Sequence, residues 1–236
     1  MLQITGLTKV FDSITAVDNV NLTVEKGAIF GFLGHNGAGK TTTVSMLITL
    51  LEPTSGKALI DGQDVLRDSI KVRRLIGYLP ENVNLYGDLT TAENLRFLGE
   101  LSGIDHVEKR IDEVLDILKF SQWKHTKVRQ LSKGMRQRVG IAQAILHQPK
   151  ILFLDEPASG LDPQGTKEIR ELLLSLNRDY GTTIFMNTHL LSEVSKTCTD
   201  IGIINHGKLL LAGPINWVLQ QFPEEKSLED IYLKFS

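Results

Sequence analysis

Gly34-His35-Asn36-Gly37-Ala38-Gly39-Lys40-Thr41-Thr42 satisfies the spacing G-x-x-x-x-G-K-[ST] of a phosphate-binding loop, and its flanks supply the elements such a loop needs. Ala28 to Leu33 is a short apolar run that predicts a strand, and Thr41 to Leu51 reads as a helix ended by Glu52-Pro53. Glycines at 34, 37 and 39 let the backbone wrap closely, with Asn36 and Ala38 completing the cradle, so that successive N–H groups face a β-phosphate at a helix N-terminus. Lys40 is a mobile cation able to reach the β- and γ-phosphates. The Thr41 hydroxyl is placed to ligate Mg²⁺, and Thr42 to contact the α-phosphate. A strand, loop and helix in this order predict an α/β fold of the P-loop NTPase type.

Two further segments add chemistry. Ile151-Leu152-Phe153-Leu154-Asp155-Glu156 opens with four apolar residues, as expected for a central parallel strand covered on both faces, which presents its functional groups at its carboxyl end. Asp155 is then placed to hold Mg²⁺ and Glu156 to polarise a water for in-line attack on a γ-phosphate. Upstream lies Leu131-Ser132-Lys133-Gly134-Met135-Arg136-Gln137-Arg138. Ser132 is a good N-cap, Val139, Ala142, Ile145 and Leu146 recur at helical spacing, and Gly134 permits close approach to the positive end of that helix.

With Ser159-Gly160-Leu161-Asp162 and Thr188-His189, these segments stand in one order along nearly the whole chain, and the chain resembles the nucleotide-binding subunit of ATP-binding cassette transporters. The resemblance implies a RecA-like, mostly parallel core sheet with an antiparallel β subdomain and an inserted helical subdomain. It implies that Phe11 stacks on adenine, that His189 contacts the γ-phosphate and helps position the attacking water, and that ATP and Mg²⁺ are bound. It implies also that Asp162 lies in a loop crossing to a second copy, and that Ser132 and Gly134 contact the γ-phosphate held by that copy. The working unit is then a head-to-tail dimer. Two motifs depart from the family pattern, at three positions. Lys133 and Met135 replace Gly and Gln in the signature Leu-Ser-Gly-Gly-Gln, and Glu81 stands where most members carry a glutamine that contacts Mg²⁺ and senses the membrane partner. A carboxylate still ligates Mg²⁺ but adds negative charge near the γ-phosphate.

Composition bounds the rest. The chain has 236 residues, 42% of them hydrophobic, enough for one large domain, and no segment approaches the length of a membrane-spanning helix. A net charge of −2 gives no support for a nucleic-acid surface, and the single Cys198 excludes an internal disulfide and fits a reducing cytoplasm. Met1 to Thr5 already alternates like a strand, without the pattern of a signal peptide. Residues 1–80 and 148–213 are expected to form the nucleotide-binding core with its antiparallel strands. Residues 81–147 should form the helical subdomain, with capped starts at Thr90 and Glu93 and at Asp105 and Glu108, and 214–236 a helical tail. Any membrane role needs a separate permease chain, which the family docks near the loop from Glu81 to Asp88. The motif variants resemble exporter-type cassettes acting at the cytoplasmic face of the cell membrane. The rival reading is a soluble cassette ATPase serving a cytosolic assembly complex, such as iron–sulfur cluster assembly.

Overall fold

A computed structural model describes residues 1–235. Strands β1 (Leu2–Phe11) and β2 (Ile14–Val24) precede β3 (Ile29–Leu33), which feeds through the glycine-rich loop into helix α1 (Lys40–Leu47). Next come β4 (Ser55–Ile60), β5 (Gln63–Asp64), α2 (Ser69–Leu75) and β6 (Ile76–Leu79). Helices α3 (Thr91–Leu101), α4 (Val107–Ile117) and α5 (Lys133–Ile145) lead to β7 (Ile151–Asp155) and α6 (Pro163–Tyr180). The chain then runs through β8 (Thr183–Thr188), α7 (Leu191–Thr197), β9 (Asp200–Asn205), β10 (Lys208–Pro214), α8 (Ile215–Gln221) and α9 (Leu228–Phe235).

One sheet is antiparallel in the order β2-β1-β4-β5, and the other runs β10-β9-β3-β8-β7-β6, parallel except for the β9–β10 pair. The strand leading into the glycine-rich loop therefore belongs to the parallel sheet, not to the antiparallel group that surrounds it in sequence. Side chains of its central strands alternate between two cores. Phe30, Phe32, Phe153 and Phe185 face the antiparallel sheet and α1, with Phe185 at ring-centroid distances of 5.2–5.4 Å from the other three. Ile29, Leu33, Leu152, Leu154, Ile184 and Met186 face the helical layer. Both faces being covered explains why these strands read as unbroken apolar runs.

Local signals account for most boundaries. Thr90 caps α3 with a reciprocal bond to Glu93, Ser132 caps α5, Asp162 caps α6 ahead of Pro163, and Gly181 ends α6 at φ +64°. The expected start at Asp105 and Glu108 is displaced: His106, at φ +52° and without a side-chain cap, opens α4. α1 is shorter than its apolar run, because Thr49 turns left-handed at φ +66°. α5 lies directly on β6. A Cβ at Gly77 would fall 2.1 Å from Ala144 O, and one at Gly140 2.6 Å from Leu79 Cδ1, so the two glycines permit this approach.

Candidate functional site

Parallel strands bring their carboxyl ends to one edge, and the residues singled out above gather there. β3 ends at Leu33 beside Thr188, and β7 ends at Asp155 paired with Asn187 of β8. From Leu33 the chain enters a loop pressed between its neighbours. A Cβ at Gly34 would lie 2.5 Å from Ile204 O, and one at Gly39, which has φ +107°, 2.6 Å from Ala16 O. No other residue type fits these two positions without moving backbone. Lys40 opens α1 almost fully buried, and its ammonium donates to Gly34 O at 2.6 Å and His35 O at 3.0 Å. Burial pulls its pKa below the usual lysine value, while Glu156 and Asp155 oppose that shift.

Beyond β7 the chain turns sharply. Glu156 has φ +49°, a conformation that costs of order 1–3 kcal/mol for a non-glycine residue, and its N–H donates to Asn187 O at 2.8 Å. The turn directs its carboxylate onto two donors: Thr188 Oγ1 at 3.1 Å to Oε2, and His189 Nδ1 at 2.7 Å to Oε1. A carboxylate can only accept, so His189 carries its proton on Nδ1 and leaves Nε2 available. Asp155, also buried, accepts from Asn187 Nδ2 at 2.6 Å. Burial, then the charges of Glu156 and Glu81, hold its carboxyl above the ordinary range.

Asp155 feels the charges of Glu156 and Glu81, and Lys40 those of Glu156 and Asp155, but among the described residues no three acidic, His or Cys side chains come together closely enough to hold a cation by themselves. The buried Asn187 Oδ1 has no hydrogen-bond partner. Thr41 and Asp155 could hold Mg²⁺, with Glu81 exposed at the rim. The glycine-lined loop, with Lys40 reaching across it, fits the phosphates of a nucleotide.

Other expected residues lie apart from this cluster. Phe11 is 44% exposed at the end of β1, with the Lys9 ammonium over its ring at 5.0 Å from the centre. Ser132 and Gly134 stand at the N-terminus of α5, where the Lys133 ammonium covers Gly160 and Leu161 lies nearest Gly134. Asp162 accepts from Gly165 N at 3.0 Å as the cap of α6. Asn187, which donates to Asp155, escaped the sequence reading, and Thr188, quoted there with His189, was given no role, though it donates to Glu156. Their signal was the two polar residues closing an apolar strand just before His189.

The sequence profile of the ABC transporter family matches residues 17–159, which contain the glycine-rich loop, the Ser132 helix start and the Asp155–Glu156 strand end. The chain belongs to the ABC transporter family. It is an ATP-binding subunit of this family and an ATPase. It is 45% identical over 210 residues to the bacitracin transport ATP-binding protein BcrA of Bacillus licheniformis, covering 89% of this chain and 68% of that one. It is 38% identical over 231 residues to the methionine import ATP-binding protein MetN of Desulfitobacterium hafniense (strain Y51), covering 94% of this chain and 68% of that one. Among solved structures, the dimeric post-hydrolysis state of the ATP-binding cassette MJ0796, bound to ADP and Pi, superposes with a TM-score of 0.80 at 29% identity, covering 91% of this chain and 99% of that one.

Proposed function

We propose that two copies of this ABC ATPase close head to tail over two Mg-ATP and drive a separate permease, in the direction of export, from the cytoplasmic face of the membrane. The observation that carries the reading is the hold on Glu156, whose carboxylate is fixed by Thr188 and His189 at the strand end next to Lys40 and Asp155. In this reading Glu156 accepts a proton from water as its oxygen attacks the γ-phosphorus, and the bond to the β–γ bridging oxygen breaks. Lys40 and the N–H groups of Gly37 to Thr42 bind the phosphates, Thr41 and Asp155 hold Mg²⁺, and Phe11 stacks on the adenine. His189 keeps Glu156 oriented through Nδ1–H, and Nε2 would donate to a γ-phosphate oxygen when it too carries a proton. When bound, Mg²⁺ supplies charge neutralisation for the leaving phosphate.

Ser132, Gly134 and Asp162 act across the dimer in this scheme. They are exposed or half-buried at the far end of α5 and in the loop beside it, where a second copy can reach them. The dimeric MJ0796 cassette supports the pairing. The export direction rests on Leu131-Ser132-Lys133-Gly134-Met135 and Leu79-Pro80-Glu81, with BcrA a similar protein named for bacitracin transport. MetN, named for methionine import, is also similar, so the direction needs its own assay: ATP-driven loss of substrate from loaded cells supports export, whereas ATP-driven uptake overturns it.

Glu156→Gln tests the chemistry. We expect ATP binding to persist, turnover to fall by about 10²–10⁴-fold, and the ATP-bound protein to run as a dimer in size exclusion. Turnover equal to that of the parent protein would remove Glu156 from the role of base.

A further inference from the structure

The glycine-rich loop has a second tether that the chemistry above does not use. His35, its second residue, brings Nε2 within 2.7 Å of Asn205 Oδ1 at the end of β9. Asn205 commits its other amide atom elsewhere: Nδ2 donates to Phe235 O at 2.8 Å, on the last residue of α9. Because Nδ2 faces a carbonyl, Oδ1 is the atom His35 meets, and His35 Nε2 is the donor; Nδ1 lies 2.7 Å from Asn36 O and donates there as well only when the ring carries both protons. One side chain thus joins the loop to a helix 200 residues away in sequence, since |i−j| spans from 35 to 235.

The surroundings reinforce that link. Gly207 N, in the turn after Asn205, donates to Ala38 O at 2.9 Å, and Asp18 N donates to Gly207 O at 2.8 Å, so the loop rests on the β9–β10 turn. The His206 ring meets that of His35 edge-on at 5.6 Å. α9 is itself docked: Leu228 and Ile231 are buried, Phe235 packs edge-on against Phe222 at 5.7 Å, and Lys234 pairs with Glu225.

We propose that His35 is a positioning residue for the phosphate-binding loop, and that Asn205 relays the docking of α9 to it. The proposal rests on the reading of residues 34–42 as the ATP site. A loop that binds phosphate through main-chain N–H groups works only if those groups already converge. The side chain of His35 fixes the segment between Gly34 and Gly37, where glycine leaves the backbone most free. Loss of the link therefore weakens nucleotide binding, in which Lys40 shares through its bond to His35 O, more than it slows the chemical step, because Asp155 and Glu156 are held by Asn187, Thr188 and His189.

The test is titration of ATP into the full chain, with steady-state turnover measured alongside. Asn205→Ala and His35→Ala should each weaken ATP binding and raise KM by about fivefold, the loss expected for one hydrogen bond, with kcat nearly unchanged. Their double variant should be no worse than either alone, since both remove one link. His35→Gln, which carries a donor near the position of Nε2, should restore affinity. Phe235→Ala, which frees α9 without touching the loop, should raise KM in the parent protein but add nothing to Asn205→Ala. Unchanged KM in folded Asn205→Ala, or additive effects in the double variant, would overturn the relay. A fall in kcat that only tracks a lowered melting temperature would also overturn it. Lys40→Ala separates this from the underlying reading: if it abolishes ATP binding while Asn205→Ala does nothing, the relay alone fails. If neither variant affects binding, the assignment of the loop fails with it.

Discussion

At the scale of single residues the site is assembled under electrostatic tension. Asp155 is buried next to Glu156, with Glu81 near enough to raise its pKa further, and only Asn187 and Lys40 act in the other direction. Such a group favours its protonated form in the folded protein more than in the unfolded chain. Its ionisation is therefore a penalty on stability, present above its raised pKa and relieved as pH falls through it. Asp155→Asn removes the charge and keeps an oxygen to accept from Asn187 Nδ2. We expect the nucleotide-free variant to melt a few degrees above the parent at neutral pH. The difference should shrink as pH is lowered through the raised pKa of Asp155, while ATP turnover is lost. Differential scanning calorimetry across pH checks this, and a variant that melts below the parent at neutral pH refutes the account. The Cys198 thiol, which lies against Gly31, has no such role: burial pushes it up to about 12, so it stays protonated.

Among elements, the contact that matters most for the site is the one between β6 and α5, because it joins the strand leading to Glu81 with the helix whose N-terminus is Ser132. It depends on Gly77, where the backbone approaches Ala144 O, and on Gly140, which makes room for the Leu79 and Val83 side chains. Gly77→Ala would drive a methyl into Ala144 O, and the two elements must separate. Overpacking of this kind costs about 1–3 kcal/mol. We expect a matching fall in the chemical denaturation midpoint with the slope unchanged, and weaker ATP-dependent pairing of copies, since Ser132 moves with α5. A midpoint equal to the parent's would show that the contact yields without strain. These elements also mark how far the sequence could be read. The glycine loop, the buried β7 strand and the caps at Thr90 and Ser132 are local patterns, and each was legible, whereas the cap at Asp162 was not read as one. A glycine inside Ile76-Gly77-Tyr78-Leu79 hints at close approach but not at what approaches. The start of α4 at His106 was missed because a left-handed residue other than glycine leaves no compositional trace. The bonds from Asn187 to Asp155, Thr188 to Glu156 and His35 to Asn205 arise only when distant segments meet at the sheet edge, so no spacing rule could reveal them.

For the whole molecule, the question is where force passes between this subunit and a permease. No helix among the described residues is long and apolar enough to cross a membrane, so in the proposed function coupling requires a docking surface. A groove of about 990 Å³ runs between α2, the α3–α4 connection and the end of α5. Its rim combines apolar groups, Ile70 and Leu101, both 70% exposed, with the cations Arg73, Arg74, Lys109 and Arg110. Arg73 is bonded to Thr49, and Arg110 to the carbonyl oxygens of Ile145 and Leu146, whereas Lys109 makes only a 4.0 Å pair with Glu113. In the proposed function the loop from Glu81 to Asp88 is the expected docking site, and this groove is a second candidate, with Arg74 and Lys109 the cations left to meet acidic side chains of the permease. Exposed charges set association and specificity more than fold stability, so reversing them should leave the subunit folded. Arg74→Glu combined with Lys109→Glu should keep the basal ATPase of the isolated subunit within about twofold, since neither residue reaches the nucleotide edge. The same variant should lose stimulation by the permease in reconstituted vesicles and should not co-purify with it from solubilised membranes. Compensating Lys substitutions at acidic positions of the permease should restore both. Full stimulation by the unmodified permease would move the docking surface elsewhere on the molecule. Loss of basal turnover would instead show that the groove and the nucleotide edge are mechanically one unit, with β6 and α5 as the connection.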